Sequence, residues 1–515
     1  MDMKPIIKYI LLSIIIIPFF NSCSEDYLEV NPKGQSLESN YYRNADEAYA
    51  ALVAAYDPVG WVSSNYVAKE FALNVASDDH YAGGGNAQDV AALQVWSNYT
   101  LDPATGPQEE LWRRGYSGVF RTNILLSKLP AVDMDEELKA RYTAESKFLR
   151  AYYYFDLIRL FESIPLFTEP LEANAINNAP QVDREEVFAL IEEDLTAAIS
   201  DLPTIIENRE TEAGRATQGA AKALLGKLYL HQERFNDAVE QLKDVNGEPG
   251  GSSIYGYSLL ENFGDLFKTE NQFNSESIFE VIHSSASNGV WDCISCSEGN
   301  LLNVMSAPRG YTIVKEDSEA PKFVSGWGFN VVTQDLADAF KKDDGSYDGR
   351  YSSTITNVKS LAEAGIVSYD ESYQGTGYFL KKFAGTQSDR SDGGGNWELN
   401  FPQNFYDIRL ADTYLMEAEA LVRGGGNTSR AQQLLDAVRS RAGNTDMVPA
   451  TFENILKERR LELAGEGHRW FDLVRTGMAA KALEFKGYVE GKHDKLPIPL
   501  QDLTNTLLEQ DPAYK

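Results

Sequence analysis

The sequence predicts a mostly α-helical protein, a tetratricopeptide-like helical-repeat scaffold that carries a large, loop-rich insertion with short strands. Three observations lead to this prediction. Apolar residues recur at three- and four-residue steps over several stretches. Two of these stretches also have the small-residue spacing of tetratricopeptide helix pairs. Between them, residues 246–409 contain 19 of the 39 glycines and lack long helical periodicity.

Helical periodicity is clearest in residues 145–161 and 187–202. In the first stretch, Phe148, Tyr152 and Phe155 follow one another at four- and three-residue steps, so they share one face of a helix. Two further helices are expected, at residues 334–341 and 451–464.

Residues 220–245 match a tetratricopeptide helix–turn–helix in more detail. Gly226 allows the paired helix to approach closely, and Tyr229 fills the seam between the two helices. A second pair is predicted at residues 410–422 and 429–441, joined by a turn with three consecutive glycines. Because such units bury their apolar faces only by stacking, roughly three to four pairs are expected. The pairs are placed at residues 45–130, 142–202, 216–245 and 410–442.

The insertion, residues 246–409, contains short strand-like pieces at residues 277–283 and 377–383. A smaller irregular segment, residues 57–106, interrupts the first helix pair. Long irregular segments on a rigid scaffold are where binding function concentrates, so we expect the ligand site there. The mature chain, residues 23–515, is predicted to be a single domain. Its parts are an N-terminal helical-repeat part (23–245), the ligand-site insertion (246–409) and a C-terminal helical-repeat part (410–515).

Residues 1–22 are predicted to be a lipoprotein signal peptide. Lys4 and Lys8 give a positive start, and the apolar run Tyr9–Phe20 is too short for a membrane span, which needs about 20 residues. A small residue directly before Cys23 fits the cleavage site of a bacterial lipoprotein signal peptidase, so Cys23 is predicted to carry the lipid. The alternative is an ordinary secreted protein with an incidental cysteine.

The composition is globular and strongly acidic. Hydrophobic residues make up 43% of the chain and charged residues 24%, and the formal net charge is −30. Such a charge disfavours nucleic acid as a partner, because binding to it depends on Lys and Arg that neutralise phosphates.

Cys293 and Cys296 are the cysteines that remain after Cys23. Outside the cytoplasm they are expected to form one local disulfide that clips the loop beside Trp291. A thioredoxin-like redox role is the alternative, but the motif lacks a βαβ context. A zinc site would need about four ligands, and there is no second cysteine pair, so no metal is predicted.

Five ordered stretches of the chain resemble the SusD/RagB family, and the resemblance extends from Cys23 to Tyr514. The fourth stretch is the most specific. The stretches are ESKFLRAYYYFDL (145–157), GRATQGAAKALLGKLYL (214–230), RLADTYLMEAEA (409–420), ILKERRLELAGEGHRWFDL (455–473) and a C-terminal end with LPIP (496–499) and QDPAY (510–514).

The resemblance implies a lipoprotein of the outer membrane that faces the cell exterior. Members of this family act as lids on TonB-dependent transporters of the SusC type, to which they deliver captured glycans. The resemblance also implies no catalytic activity and no cofactor. The RagB branch captures peptides instead, and this alternative stays open because one scaffold serves both. A glycoside hydrolase, a third alternative, needs two opposed carboxylates, and the sequence shows no such motif.

Ligand-binding residues are expected where an aromatic side chain with polar neighbours stands on a loop. Tyr and Trp rings suit the C–H faces of sugars, and polar side chains read the hydroxyls. A disulfide clip would also pre-organise Trp291. For each tryptophan, the alternative is that the ring packs under a loop instead of contacting ligand. For Trp96, the sequence favours neither interpretation over the other. The candidates are Asp79, Tyr81, Trp96, Trp291, Trp327 and Trp397.

Two polar clusters are interpreted as structural. Glu466, His468 and Asp472 lie together on a predicted helix of the fourth stretch and are expected to pair within the fold rather than to catalyse a reaction. The second cluster is Asp343, Asp344, Asp348 and Arg350. Its spacing lacks the glutamate of a calcium-binding EF-hand loop, so we interpret it as a solvated acidic turn.

Overall fold

The computed structural model describes residues 42–61 and 66–515, and its N-terminal part is mainly helical up to residue 246. The helices of this part are α1 (Ala45–Tyr56), α2 (Lys69–Ala76), α3 (Ala91–Ser97), α4 (Gln108–Lys128), α5 (Glu136–Phe161), α6 (Ala173–Asn177), α7 (Arg184–Ile199), α8 (Arg209–Glu212), α9 (Gln218–His231) and α10 (Phe235–Asn246). Its strands are β1 (His80–Gly83), β2 (Ile164–Pro165) and β3 (Gln181–Val182).

Helix α5 is the centre of this part and packs against both α4 and α7. It begins after Asp135, whose carboxylate accepts a hydrogen bond from the Leu138 N–H at 3.0 Å and so caps the helix. Gly118 of α4 faces the ring of Tyr153, and a Cβ there would lie 2.3 Å from that ring. The glycine therefore lets the two helices approach closely, and Tyr153 is completely buried between them.

The predicted tetratricopeptide pair is confirmed as α9 and α10. The Thr217 hydroxyl caps α9 by accepting a hydrogen bond from the Ala220 N–H at 3.2 Å. A Cβ at Gly226 would lie 2.6 Å from Leu242 of α10, so the close approach that the spacing predicted does require a glycine. Leu242 is completely buried in this seam.

The insertion consists of short elements joined by loops. Its helices are α11 (Leu302–Ser306), α12 (Gln334–Ala339), α13 (Tyr351–Thr354) and α14 (Val358–Glu363). Its strands are β4 (Ser277–Val281), β5 (Thr312–Ile313), β6 (Phe329–Val332), β7 (Ile355–Asn357), β8 (Val367–Ser368), β9 (Tyr378–Leu380) and β10 (Phe405–Arg409).

The strands pair two by two, and all five pairs in the described residues are antiparallel. The pair β1–β6 joins the irregular segment 57–106 to the insertion. His80 stands opposite Val332 and Gly83 opposite Phe329, and the Gly84 N–H extends the pairing by donating to the Gly328 carbonyl at 2.9 Å.

The C-terminal part returns to helix and closes the scaffold. Its helices are α15 (Leu410–Arg423), α16 (Thr428–Arg441), α17 (Phe452–Glu462), α18 (Arg469–Arg475) and α19 (Ala479–Ala482). The second predicted pair is confirmed as α15 and α16, and the helix expected at residues 451–464 is α17.

A buried group of ion pairs, which we name the seam network, joins the insertion to α16 and α17. Arg409, 1% exposed, donates to Glu276 at 2.8 Å and to Glu466 at 2.8 Å. Removing one partner of such a network leaves an unpaired buried charge, so the network fixes the insertion on the helices. Its members are Glu276, Arg350, Lys382, Arg409, Arg441, Glu458, Glu462 and Glu466.

The predicted fold class, a mostly α-helical repeat scaffold with a loop-rich insertion, is confirmed. Among the residues that the structure describes, no helix is both long and apolar enough to cross a membrane. The predicted signal peptide and its lipid-carrying residue, Cys23, lie outside the described residues.

Candidate functional site

Three aromatic side chains from distant parts of the chain meet beside the β1–β6 pair. The ring centroids of Trp291 and Trp327 lie 5.8 Å apart, and their planes are tilted by 31°. The ring of Tyr66 stands edge-on to both, 6.4 Å from Trp291 and 5.8 Å from Trp327. All three side chains are partly exposed. We name Tyr66, Trp291 and Trp327 the aromatic platform.

Trp291 is held by a loop that is fixed at several points. The structure joins Cys293 and Cys296 in a disulfide two residues further on. The Trp291 N–H donates to the side-chain oxygen of Asn396 at 3.1 Å. The buried amide of Asn400 accepts from the Gly289 N–H at 2.8 Å and donates to the Gly289 carbonyl at 3.0 Å. The indole is therefore positioned by its backbone before any ligand arrives.

Trp327 is held just as closely, immediately before β6. Its N–H donates to the Val304 carbonyl of α11 at 2.9 Å, and the next residue, Gly328, donates to the Ala307 carbonyl at 2.9 Å. Its own carbonyl accepts a hydrogen bond from Arg309 at 3.0 Å. These bonds leave the backbone of Trp327 little freedom, so its ring is presented by a rigid edge.

Tyr66 has an unusual backbone conformation for a bulky residue, with φ at +62°. Such a conformation costs roughly 1–2 kcal/mol and concentrates at functional sites. The next two residues, Val67 and Ala68, are buried at the start of α2, so the scaffold supports the strained position. Tyr66 was not among the predicted candidates, because its contact with the tryptophans depends on the pairing of β1 with β6, which the sequence does not reveal.

Two predicted candidates, Asp79 and Trp96, lie in the interior. Trp96 is 1% exposed and packs edge-on against Trp470 at 5.5 Å, so its ring has no face for a ligand. Asp79 is fully buried and pairs with Arg460 at 2.7 Å. Burial raises the pKa of the Asp79 carboxyl, although the Arg460 guanidinium opposes the shift. The structure corrects the prediction for both residues, which belong to the core.

Tyr81 and Trp397 are partly exposed, but among the described residues neither makes ring contact with the platform. Tyr81 packs edge-on against Phe485 at 6.4 Å. Trp397 packs against Phe401 at 5.9 Å, and the guanidinium of Arg390 covers its ring at 4.8 Å. Of the six candidates, the structure therefore brings together Trp291 and Trp327.

The two polar clusters make internal pairs. Glu466 accepts from Lys382 at 2.7 Å, and Asp472 accepts from Arg459 at 2.9 Å. In the second cluster, Asp348 accepts from Arg350 at 2.8 Å. These contacts agree with a structural role for both clusters. The interpretation as a solvated turn holds for Asp343 and Asp344, which are exposed, and is corrected for Asp348 and Arg350, which are buried.

Two family models match the sequence. The model described as the SusD family matches residues 359–497, and the model described as starch-binding associating with outer membrane matches residues 26–230. The starch-binding protein SusD of Bacteroides thetaiotaomicron is 26% identical over 83% of this chain and 82% of its own length.

Solved structures give closer likenesses. A laminarin binding SusD-like protein is 49% identical, with a TM-score of 0.87, over 92% of this chain and all of that one. Surface glycan-binding protein A from Bacteroides thetaiotaomicron in complex with laminarihexaose is 27% identical, with a TM-score of 0.80, over 91% of this chain and 99% of that one. On the strength of the 49% identity across its length and the two family models, this chain belongs to the SusD family.

Proposed function

We propose that this protein is a non-catalytic, cell-surface glycan-binding lipoprotein that captures laminarin or a closely related glucan on the aromatic platform. It would then deliver the glycan to a TonB-dependent transporter of the SusC type. The observation that carries the proposal is the convergence of Tyr66, Trp291 and Trp327 on a rigid edge of the insertion.

The shape of the platform supports a carbohydrate ligand. Sugar rings carry C–H groups on their faces, and these pack well on exposed indole rings, which bury large apolar areas at a small entropy cost. The two indoles lie 5.8 Å apart with their planes tilted by 31°, so one glycan chain can contact both of them.

The relatives support the same ligand class. The laminarin binding protein that is 49% identical and the glycan-binding protein solved with laminarihexaose both share this fold over more than nine-tenths of the chain. Both are named for binding, which agrees with a capture role. Because fold alone does not fix function, the ligand is inferred from the platform and the relatives together.

Two features of the sequence support the proposed location. The lipoprotein signal at residues 1–22 and the family model named for the outer membrane support a lipid anchor at Cys23. Cys23→Ala should release the protein from membranes of cells that lack the transporter, while the released protein still binds glycan. Retention of this variant on the membrane would contradict the lipid assignment.

Affinity electrophoresis of the purified protein in gels with laminarin, starch or hydroxyethyl cellulose tests the binding proposal. We expect strong retardation by laminarin and weak or no retardation by the other two. Equal migration in all gels would overturn the proposal, and binding of a peptide mixture instead would favour the RagB-type alternative. Incubation with laminarin should release no new reducing ends, since release would indicate hydrolysis.

A further inference from the structure

One charged side chain next to the platform, that of Arg309, lacks a charged partner among the described residues. Most arginines in the described residues pair with carboxylates, as a chain with net charge −30 would lead one to expect. Arg309 forms no ion pair within the described part of the chain. Its side chain makes a single hydrogen bond there, from Nη1 to the carbonyl oxygen of Trp327 at 3.0 Å. Four of its five N–H donors are left for water or a ligand.

The position of this guanidinium is well defined. The backbone of Arg309 bridges to Gly326, and its carbonyl accepts from the Asp370 N–H at 2.9 Å. Its stem lies against Gly328, where a Cβ would come within 2.7 Å of Arg309 Cγ. Its Nη2 lies 3.4 Å from the place where Gly85 would carry a Cβ. The guanidinium therefore occupies a notch between two glycines, directly beside Trp327.

We propose that Arg309 is a specificity-determining residue of the platform, which donates two parallel hydrogen bonds to adjacent oxygens of the sugar ring stacked on Trp327. The proposal rests on the proposed function. A planar guanidinium matches a pair of neighbouring oxygens, and the bond to the Trp327 carbonyl holds this guanidinium beside the backbone that carries the indole. An aromatic face alone accepts many sugars, whereas a fixed fork requires the hydroxyl pair to have the right configuration.

Calorimetric titration with laminarihexaose tests this role in four proteins: the wild type, Arg309→Ala, Arg309→Lys and Arg209→Ala. Arg209 is the matched control, because it too lacks an ion pair in the described residues and donates to one backbone carbonyl, that of Phe273, at 2.8 Å. We expect Arg309→Ala to weaken binding by roughly tenfold or more, since charge-assisted hydrogen bonds are lost. Arg209→Ala should bind like the wild type.

The lysine variant distinguishes a direct contact of residue 309 with the sugar from a role in holding the backbone of Trp327. Lysine can still donate to the Trp327 carbonyl but cannot form a fork, so Arg309→Lys should stay at least about fivefold weaker than the wild type. Full rescue by lysine would show that the residue only supports Trp327, and the inference would fall. An unchanged affinity of Arg309→Ala would also overturn the proposed role of Arg309. In that case, binding of the hexasaccharide by the wild type would still support the proposed function. If the wild type does not bind the hexasaccharide, both the proposed function and the proposed role of Arg309 are wrong.

Discussion

Two pairs of tryptophans have almost the same distance between their rings, and we propose opposite roles for them. The rings of Trp96 and Trp470 lie 5.5 Å apart, and those of Trp291 and Trp327 lie 5.8 Å apart. The first pair is at most 1% exposed and lies between α3 and α18, whereas the second is partly exposed on loops of the insertion. The comparison teaches that burial, and not residue type or ring distance, separates the core pair from the proposed binding surface.

The scaffold and the platform should therefore respond differently to acid, and this is the largest effect we expect. Burial opposes ionisation of Glu462 in the seam network, but the guanidinium groups of Arg441, Arg409 and Arg350 outweigh it and lower the pKa of this carboxyl. The pKa of Asp472 is lowered in the same way by Arg459 and Arg475, against burial.

The lowered pKa values determine how the stability of the fold changes with pH. A carboxyl whose pKa is lower in the folded state contributes stability at pH values above its unfolded pKa, about 3.9 for Asp and about 4.3 for Glu. That stability is lost as the pH falls below these values. Chemical denaturation between pH 6 and pH 3 should show a falling free energy of unfolding, while laminarin affinity of the folded protein stays flat, since indole rings do not titrate. A stability that rises toward pH 3 would contradict the account.

Removing an indole from the buried pair should be the next largest effect. Trp470→Ala empties a completely buried site, which costs about 3–5 kcal/mol of stability. The fraction that still folds should bind laminarin normally, because the residue lies outside the platform. A thermal melt together with a titration below the midpoint measures both quantities, and a variant that keeps its stability but loses affinity would reverse our assignment of the pair.

Removing an indole from the platform should reduce glycan affinity and leave stability nearly unchanged. Trp327→Ala should weaken laminarihexaose binding by about 30-fold, or about 2 kcal/mol, as expected for a central aromatic contact. Its free energy of unfolding should change by less than about 1 kcal/mol, since the ring is partly exposed. Trp397→Ala serves as the matched control on the insertion. An equal loss of affinity in this variant would show that the ligand-binding surface also includes Trp397.

The disulfide should have the smallest effect. In the double variant Cys293→Ser with Cys296→Ser, the hydrogen bonds of Asn396 and Asn400 still hold the loop of Trp291. We therefore expect affinity to fall only about twofold to fivefold, the cost of ordering one looser side chain. Stability should hardly change, because the bridge closes a very short loop. A loss as large as that of Trp327→Ala would make the bridge a principal support of the platform.

The scaffold was predictable from sequence because its signals are local. The spacing of Gly226 and Tyr229 sets the α9–α10 pair, and three consecutive glycines mark the turn between α15 and α16. Helix periodicity depends on neighbours three and four residues away, so a single sequence contains it.

The site was only partly predictable because its contacts are long-range. Trp291 and Trp327 were identified from their loops, but Tyr66 reaches them across more than 200 residues. Trp96 and Asp79 follow the same loop pattern and are nevertheless buried, by Trp470 and Arg460. Loop composition indicates where a site can be, whereas tertiary pairing decides which side chains face outward.

A crystal structure of the wild-type protein with laminarihexaose tests the central claim most directly. We expect sugar rings to lie within about 4 Å of the indoles of Trp291 and Trp327, with Tyr66 at the edge of the same chain. A hexasaccharide bound elsewhere, with the platform left open to solvent, would contradict the account.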